Sequence, residues 1–343
     1  MLDSGYFSNF VAQEFRRGNG IEEQVHDPQQ HQMAMKENYN YPEQIGKVIQ
    51  ELIQPESYNK LAHPLGPGHL LPSMKNLRKI IELVREIIFP GYFGHTPLEY
   101  PLVGHYLGVY MDELFTLLRG EILAGICFEA DENEAPGKKE SENLAEQHTL
   151  MFIASLPEIR RKLGNDVKAL FLGDPAAKSY GEIIFCYPAI KAITNYRIAH
   201  RMVELGVPLI PRYIAEMAHS ETGIDIHPEA RIGECFAIDH GTGVVIGSTC
   251  IIGNHVKIYQ GVTLGARSFE LDEQGNPVKG IPRHPVVEDN VVIYSGATIL
   301  GRITIGRNSV IGGNVWITRD VPANSKIVQG KSKGLTFTDG AGI

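Results

Sequence analysis

Several features are scarce in this chain of 343 residues, and each scarcity argues against a class of protein. The four cysteines form no C-x-x-C pair, so the sequence indicates neither a disulfide framework nor a thiolate metal site. Basic residues number 32 against 40 acidic ones, and the formal charge of −8 argues against nucleic acid or an anionic membrane as the main partner. No run approaches the roughly 18 apolar residues of a membrane helix, and no signal-peptide pattern is present. A soluble, cytoplasmic protein is expected.

The first two-thirds of the chain is predicted to be helical. Residues 1–60 are polar and are interpreted as an N-terminal arm that is partly disordered. Within 61–222, apolar residues recur at spacings of three and four, as in the segment 77–84, which is the period of an amphipathic helix. We therefore expect a helical domain over 61–222.

From residue 223 onward, an aliphatic residue recurs at every sixth position. The members of the series are Ile226, Ile232, Ile238, Ile246, Ile252, Ile258, Leu264, Val287, Ile293, Ile299, Ile305, Ile311 and Ile317. A period of six fits neither an amphipathic helix nor a hairpin strand, but it is typical of a parallel β-helix in which three hexapeptides form one triangular coil. The predicted class is α+β, with the helical domain followed by a left-handed parallel β-helix over 223–325 and a flexible C-terminal tail over 326–343.

Two interruptions of the six-residue period each bring a histidine. The first lies between Ile238 and Ile246, where eight residues replace six and include Asp239 and His240. The second is the polar segment 266–284, which is rich in glycine, proline and charge and ends in an arginine and a histidine. It is predicted to be a loop outside the coil. Because loops on a rigid scaffold commonly carry function, both histidines are candidate catalytic residues.

The residue types at these interruptions suit deprotonation of a hydroxyl group. A carboxylate that binds one ring nitrogen of His240 would fix the tautomer and raise the basicity of the other nitrogen, as a general base requires. Asp239 is adjacent in sequence, and Asp225 lies nearly one coil earlier. The chain has no G-x-S-x-G segment and no plausible nucleophilic cysteine, so direct transfer is favoured over a covalent enzyme intermediate.

The motif series resembles that of the serine O-acetyltransferases, which acetylate serine from acetyl-CoA in cysteine biosynthesis. The segments that carry the resemblance are "GDPAAKSY", "AITNYRIAH", "DIHPEARIG", "IDHGTGVVIG", "VTLG" and "RHP", followed by the hexapeptide run. The match is strong over 174–330 and looser over the earlier helices. The resemblance implies direct transfer of an acetyl group from acetyl-CoA to the serine hydroxyl.

The resemblance also implies roles for individual residues around the reacting hydroxyl. His240 would be the general base, and Asp225 would orient its ring. Asp174 and Asp239 would lie at the serine amino group or near the base.

Further residues are expected to hold the serine carboxylate and the coenzyme. Arg283 would pair with the carboxylate, and His284 would position substrate or stabilise the oxyanion. The residues expected along acetyl-CoA are Gly265, Ser295 and Gly313 at the pantetheine arm, with Lys331 and Lys333 at the nucleotide end. No metal is expected.

The family likeness also suggests partners. The site would lie between neighbouring β-helices of a homotrimer, alone or in a dimer of trimers. The C-terminal Ile343 would enter the active site of O-acetylserine sulfhydrylase.

Three alternatives remain open from the sequence. A hexapeptide acetyltransferase acting on a sugar or another hydroxyl would also carry a histidine, but it would leave the "DHGTG", "RHP" and "GDPA" segments unexplained. A zinc hydratase of the γ-carbonic anhydrase type needs three convergent histidines, two of them five residues apart, and the β-helix histidines show no such pair. A non-catalytic scaffold would need neither the paired acids nor the loop histidine.

Overall fold

The computed structural model describes residues 41–58, 61, 71–94, 102–129, 137–268 and 270–330. The chain divides into two compact units, 1–65 and 66–343. In the first unit, helix α1 spans Tyr41–Leu52 and helix α2 spans Pro55–Tyr58. They lie within the segment that the sequence predicts to be a polar arm.

The second unit begins with helices, as the apolar period predicts. They are α3 (Met74–Ile88), α4 (Val103–Glu129), α5 (Lys138–Gly173), α6 (Tyr180–Cys186), α7 (Pro188–Glu204) and α8 (Ile210–Thr222). The Ser73 hydroxyl accepts a hydrogen bond from Asn76 N at 3.3 Å and so caps α3. Helix α8 ends at Gly223 in the left-handed conformation, where the chain turns into the β-helix.

The rest of the second unit is a parallel β-helix of short strands. The strands are β1 (Asp225–Ile226), β2 (Arg231–Ile232), β3 (Ala237–Asp239), β4 (Val245–Ile246), β5 (Ile251–Ile252), β6 (Lys257–Tyr259), β7 (Thr263–Gly265), β8 (Val286–Val287), β9 (Val292–Ile293), β10 (Thr298–Leu300), β11 (Thr304–Ile305), β12 (Val310–Ile311), β13 (Trp316–Ile317) and β14 (Lys326–Ile327). Every aliphatic residue of the six-residue series is buried in the prism. The predicted α+β class with a left-handed β-helix of hexapeptide repeats is confirmed.

The strands form three faces. Face A contains β1, β4, β7, β10 and β13, face B contains β2, β5, β8 and β11, and face C contains β3, β6, β9, β12 and β14. Successive strands of one coil belong to faces A, B and C in turn. The chain therefore crosses an A/B edge, a B/C edge and a C/A edge in each coil, and side chains at one edge stack along the prism axis.

A buried ion pair fixes the helices to the first coil. Arg197 on α7 donates to both carboxylate oxygens of Asp166 on α5, at 2.5 and 2.8 Å, and to Gly233 O at 2.8 Å. Oδ1 of Asp166 also accepts a hydrogen bond from Phe236 N at 2.9 Å. Since each buried charge is paired and hydrogen-bonded, the end of α5 is held at a defined position beside β3.

Candidate active site

His240 lies at the C/A edge, in the turn between β3 and β4. Its backbone is left-handed, with φ of 58°, and Gly241 follows with φ of 93°. A Cβ atom on Gly241 would lie 2.5 Å from the Ile224 side chain, so only glycine fits there. The turn directs the imidazole outward, where its side chain is 74% exposed, with Nε2 3.8 Å from Asp239 Oδ1. The eight-residue interruption therefore serves to present this ring at the surface.

Asp174 lies immediately after α5 and is the second acid near His240. Its carboxylate accepts from the Tyr187 hydroxyl at 2.6 Å and from Ala176 N at 2.8 Å. These two hydrogen bonds, with smaller contributions from the charges of Lys257 and His240, lower the pKa of Asp174. The hydrogen bond to Asp174 raises the pKa of Tyr187 to about 12. Asp174, Tyr187, Asp239, His240 and Lys257 form what we call the His240 cluster.

His284 lies at the A/B edge, at the end of the 266–284 loop, and is buried. Its ring packs on Gly247, where a Cβ atom would lie only 2.1 Å from the imidazole. Nδ1 accepts from Thr249 N at 3.2 Å and lies 2.9 Å from Thr249 Oγ1. Oγ1 in turn accepts from Arg283 N at 2.9 Å and His284 N at 3.1 Å, so its own proton points to Nδ1. The hydrogen-bond network therefore assigns the ring proton to Nε2.

The surroundings keep the His284 ring neutral. Burial and then the neighbouring charges of Arg283, His227 and Arg302 lower the pKa of His284 to about 4. Arg302 also donates to His284 O at 3.1 Å and to Thr249 O at 2.7 Å, which fixes the backbone on both sides of the ring. At neutral pH, His284 is a fixed N–H donor. We call the group formed by His284, Thr249, Arg283, Arg302 and His227 the His284 cluster.

The two clusters lie on different edges of the prism. Face A separates them, and the five residues from Gly243 to Gly247 span on the order of 15 Å. Asp225, at the start of β1 on face A, acts electrostatically on His227. The carboxylate that one chain places beside the His240 ring is that of Asp239. A single chain thus unites Asp174, Asp239 and His240, and separately Arg283 and His284.

The residues predicted to contact acetyl-CoA also divide between these edges. Ser295 and Gly313 are neighbours at the C/A edge, since a Cβ atom on Gly313 would lie 3.0 Å from Ser295 O. Gly265 ends β7 at the A/B edge. Lys331, Lys333 and Ile343 lie outside the described residues.

Sequence reasoning missed five residues of these clusters, namely Tyr187, Lys257, Thr249, Arg302 and His227. Their contacts join segments far apart in the chain, and the six-residue period gives no signal for outward-facing positions. In the part of the chain that the structure describes, no three His, Cys, Asp or Glu side chains form a group that could hold a metal ion. Within the same residues, no helix is long and apolar enough to cross a membrane.

Comparisons with known proteins agree with the architecture. The family model "Bacterial transferase hexapeptide (six repeats)" matches residues 284–319. The plasmid serine acetyltransferase of Synechococcus elongatus is 46% identical over 320 residues, which cover 92% of this chain and 99% of that protein. The serine acetyltransferase of Bacillus subtilis is 45% identical over 168 residues, which cover 49% of this chain and 73% of that protein. The crystal structure of Entamoeba histolytica serine acetyltransferase 1 in complex with L-cysteine has a TM-score of 0.64 at 35% identity and covers 80% of this chain and 94% of that one.

Proposed function

Because the chain belongs to the serine acetyltransferase family, we propose that it transfers the acetyl group of acetyl-CoA directly to the hydroxyl of L-serine, with His240 as the general base. The observation that carries the proposal is the His240 cluster, in which an outward-facing imidazole has the Asp239 carboxylate beside it and lies within electrostatic range of Asp174. The product pair is O-acetylserine and CoA. Production of O-acetylserine is a step of cysteine biosynthesis.

In the proposed reaction, a ring nitrogen of His240 takes the proton of the serine hydroxyl as the oxygen attacks the thioester carbonyl. The C–O bond forms and a tetrahedral oxyanion develops. When the C–S bond breaks, the CoA sulfur leaves as thiolate and takes the proton back from the imidazolium. His240 ends in its starting state, and no covalent enzyme intermediate is needed.

The remaining groups hold the amino acid and the developing charge. The carboxylates of Asp174 and Asp239 bind the serine ammonium, and the Arg283 guanidinium pairs with the serine carboxylate. The neutral Nε2–H of His284 donates to the substrate or to the oxyanion. Asp225 is proposed to orient the base, although within one chain its charge acts on His227.

The division of these groups between two edges supports a site shared by neighbouring copies. In a cyclic trimer, the C/A edge of one prism can face the A/B edge of the next, which would bring His240 and His284 to one substrate. Such packing would also cover the His240 ring, which is 74% exposed in the single chain. We therefore propose a homotrimer, alone or as a dimer of trimers, as the active form.

Two proposals concern the C-terminal segment. Lys331 and Lys333 would neutralise the nucleotide phosphates of acetyl-CoA, because the protein as a whole is negatively charged. Ile343 would bind O-acetylserine sulfhydrylase, with its free carboxylate imitating that of the amino-acid substrate.

The test is release of CoA thiol from acetyl-CoA in the presence of L-serine, homoserine or a galactoside. We expect turnover with serine, and we expect His240→Ala to lower kcat by about 10²–10⁴-fold, the usual share of general base catalysis. Asp225→Asn should cost less. Turnover with the galactoside and not with serine would favour the sugar acetyltransferase, and normal turnover of His240→Ala would reject the assigned base.

A further inference from the structure

Lys257 lies in the His240 cluster and has no role in the proposed reaction. It begins β6 on face C, in the coil after Asp239, and its neighbour Tyr259 pairs in register with Asp239. Its side chain is only 16% exposed. Lys326 occupies the equivalent outward position three coils further along the same face and is exposed. The burial of Lys257 is therefore a local feature and not a property of lysines on this face.

The Lys257 ammonium connects three parts of the site. Nζ lies 2.9 Å from Asp239 Oδ2 and donates to Gly173 O at 2.7 Å. Gly173 is the last residue of α5, and Asp174 follows it. Nζ also lies 4.5 Å from the centroid of the Tyr259 ring, which stacks on Tyr294 at 5.0 Å between centroids. One cation thus fastens β3 to the end of α5 and rests against an aromatic pair.

The ammonium remains charged in this position. Burial opposes the charge, but hydrogen bonding to Tyr259 and Asp239 outweighs it and raises the pKa of Lys257. Asp239 Oδ2 is taken by the lysine, so Oδ1 is the oxygen that faces His240, at 3.8 Å. The orientation of this carboxylate is therefore set from the side opposite the base.

We infer that Lys257 is a positioning residue for the ammonium group of the acetyl acceptor. It fixes Asp239 relative to Asp174 and reduces the two negative charges of this acid pair to one, which matches a single substrate ammonium. The inference rests on the proposed function, because it assumes that these acids bind the amino group of serine.

Removal of the lysine leaves two adjacent carboxylates with one charge uncompensated and lets Asp239 turn away. The acceptor must then order Asp239 as it binds. We expect the KM for serine to rise about tenfold, the value of one charge-assisted hydrogen bond. The KM for acetyl-CoA and kcat should change by no more than about twofold, because Lys257 does not contact His240 in the structure.

The experiment compares Lys257→Met, Lys257→Gln and Lys257→Arg in the full-length protein, with Lys326→Met as the matched control. The arginine variant keeps the charge and should recover most of the serine KM. The glutamine variant keeps a polar N–H donor without the charge, so it reports the loss of charge even if the methionine variant does not fold. Glycerate, which has a hydroxyl in place of the serine ammonium, serves as a competitive inhibitor with respect to serine. Its inhibition constant in the Lys257 variants should stay within about twofold of the wild-type value.

The outcomes separate the inference from the function on which it rests. A raised serine KM with an unchanged glycerate constant, and rescue by arginine, would support the inference. An equal rise in the serine KM and the glycerate inhibition constant, or an unchanged or lowered serine KM, would overturn the inference and leave the proposed function standing. A wild-type protein that does not acetylate serine would overturn both.

Discussion

Replacement of Thr249 by valine is expected to slow the reaction, although Thr249 itself is not proposed to contact substrate. The Thr249 hydroxyl accepts from Arg283 N and His284 N and donates to His284 Nδ1. Valine has nearly the same shape but makes none of these hydrogen bonds. Thr249 N still donates to Nδ1, at 3.2 Å, so the ring keeps one of the two bonds that hold its tautomer.

The magnitude follows from the number of bonds lost. Loss of the bond to Nδ1 is worth about 1–2 kcal/mol, which corresponds to about a 5- to 30-fold fall in kcat/KM if it is felt in the transition state. The two backbone N–H groups lose their acceptor, which should lower the free energy of unfolding by about 2–4 kcal/mol. Thr249→Ser keeps the hydroxyl and should stay within about threefold of wild type.

The assay is thiol release at saturating acetyl-CoA over a range of serine concentrations, with a thermal melt for each variant. Measuring activity well below the melting temperature of Thr249→Val separates the kinetic effect from unfolding. The reasoning is refuted if the valine and serine variants have the same kcat/KM, because the hydroxyl would then contribute nothing to the position of His284.

Three further results are expected. Asp174→Asn removes one charge-assisted contact to the serine ammonium. Steady-state kinetics should therefore show the serine KM raised about tenfold and the acetyl-CoA KM changed much less. The folded-state pKa of His284, about 4, lies below its unfolded value near 6.5. Its contribution to stability is therefore present above pH 6.5 and is lost as pH falls to 4. Between pH 6.5 and 4, denaturant unfolding should show that the free energy of unfolding of the wild type falls by on the order of 2 kcal/mol more than that of His284→Asn. Co-assembled His240→Ala and His284→Ala chains should regain about one quarter of wild-type activity, because a shared site receives both intact residues in one of four random pairings. No recovery would place the whole site in one chain.

The sequence predicts the prism and the two breaks in its period that bring His240 and His284 because both follow from periodicity. A buried aliphatic position such as that of Ile258 must recur in phase so that its side chain stacks on the equivalent one in the next coil. A segment that breaks the phase must project out of the coil. His240 and the 266–284 loop are therefore visible as interruptions before any coordinate is known.

The supporting contacts escape prediction because outward-facing residues obey no period. Lys257 meets Gly173, which is 84 positions earlier in the chain, and Thr249 meets His284, which is 35 positions later. A lysine in "HVKIYQ" or a threonine in "GSTC" is as compatible with a solvated surface as with a structural role. The distinction depends on where α5 ends and where the loop returns, which only the assembled fold determines.

The loop between β7 and β8 has a consequence for how this protein can change over generations. Hydrogen bonding on both sides of it is uninterrupted, since Gly247 N donates to Leu264 O at 3.1 Å and Ile251 N donates to Pro285 O at 3.2 Å. The excursion thus leaves and rejoins the coil within one edge, and a doubling of its length would cost only about 0.6 kcal/mol in closure entropy. Insertions and deletions before Arg283 are therefore nearly neutral for folding, whereas the phase of the residues after it is fixed. Variation in the length and sequence of this loop can accumulate and be selected while the scaffold beneath it stays the same.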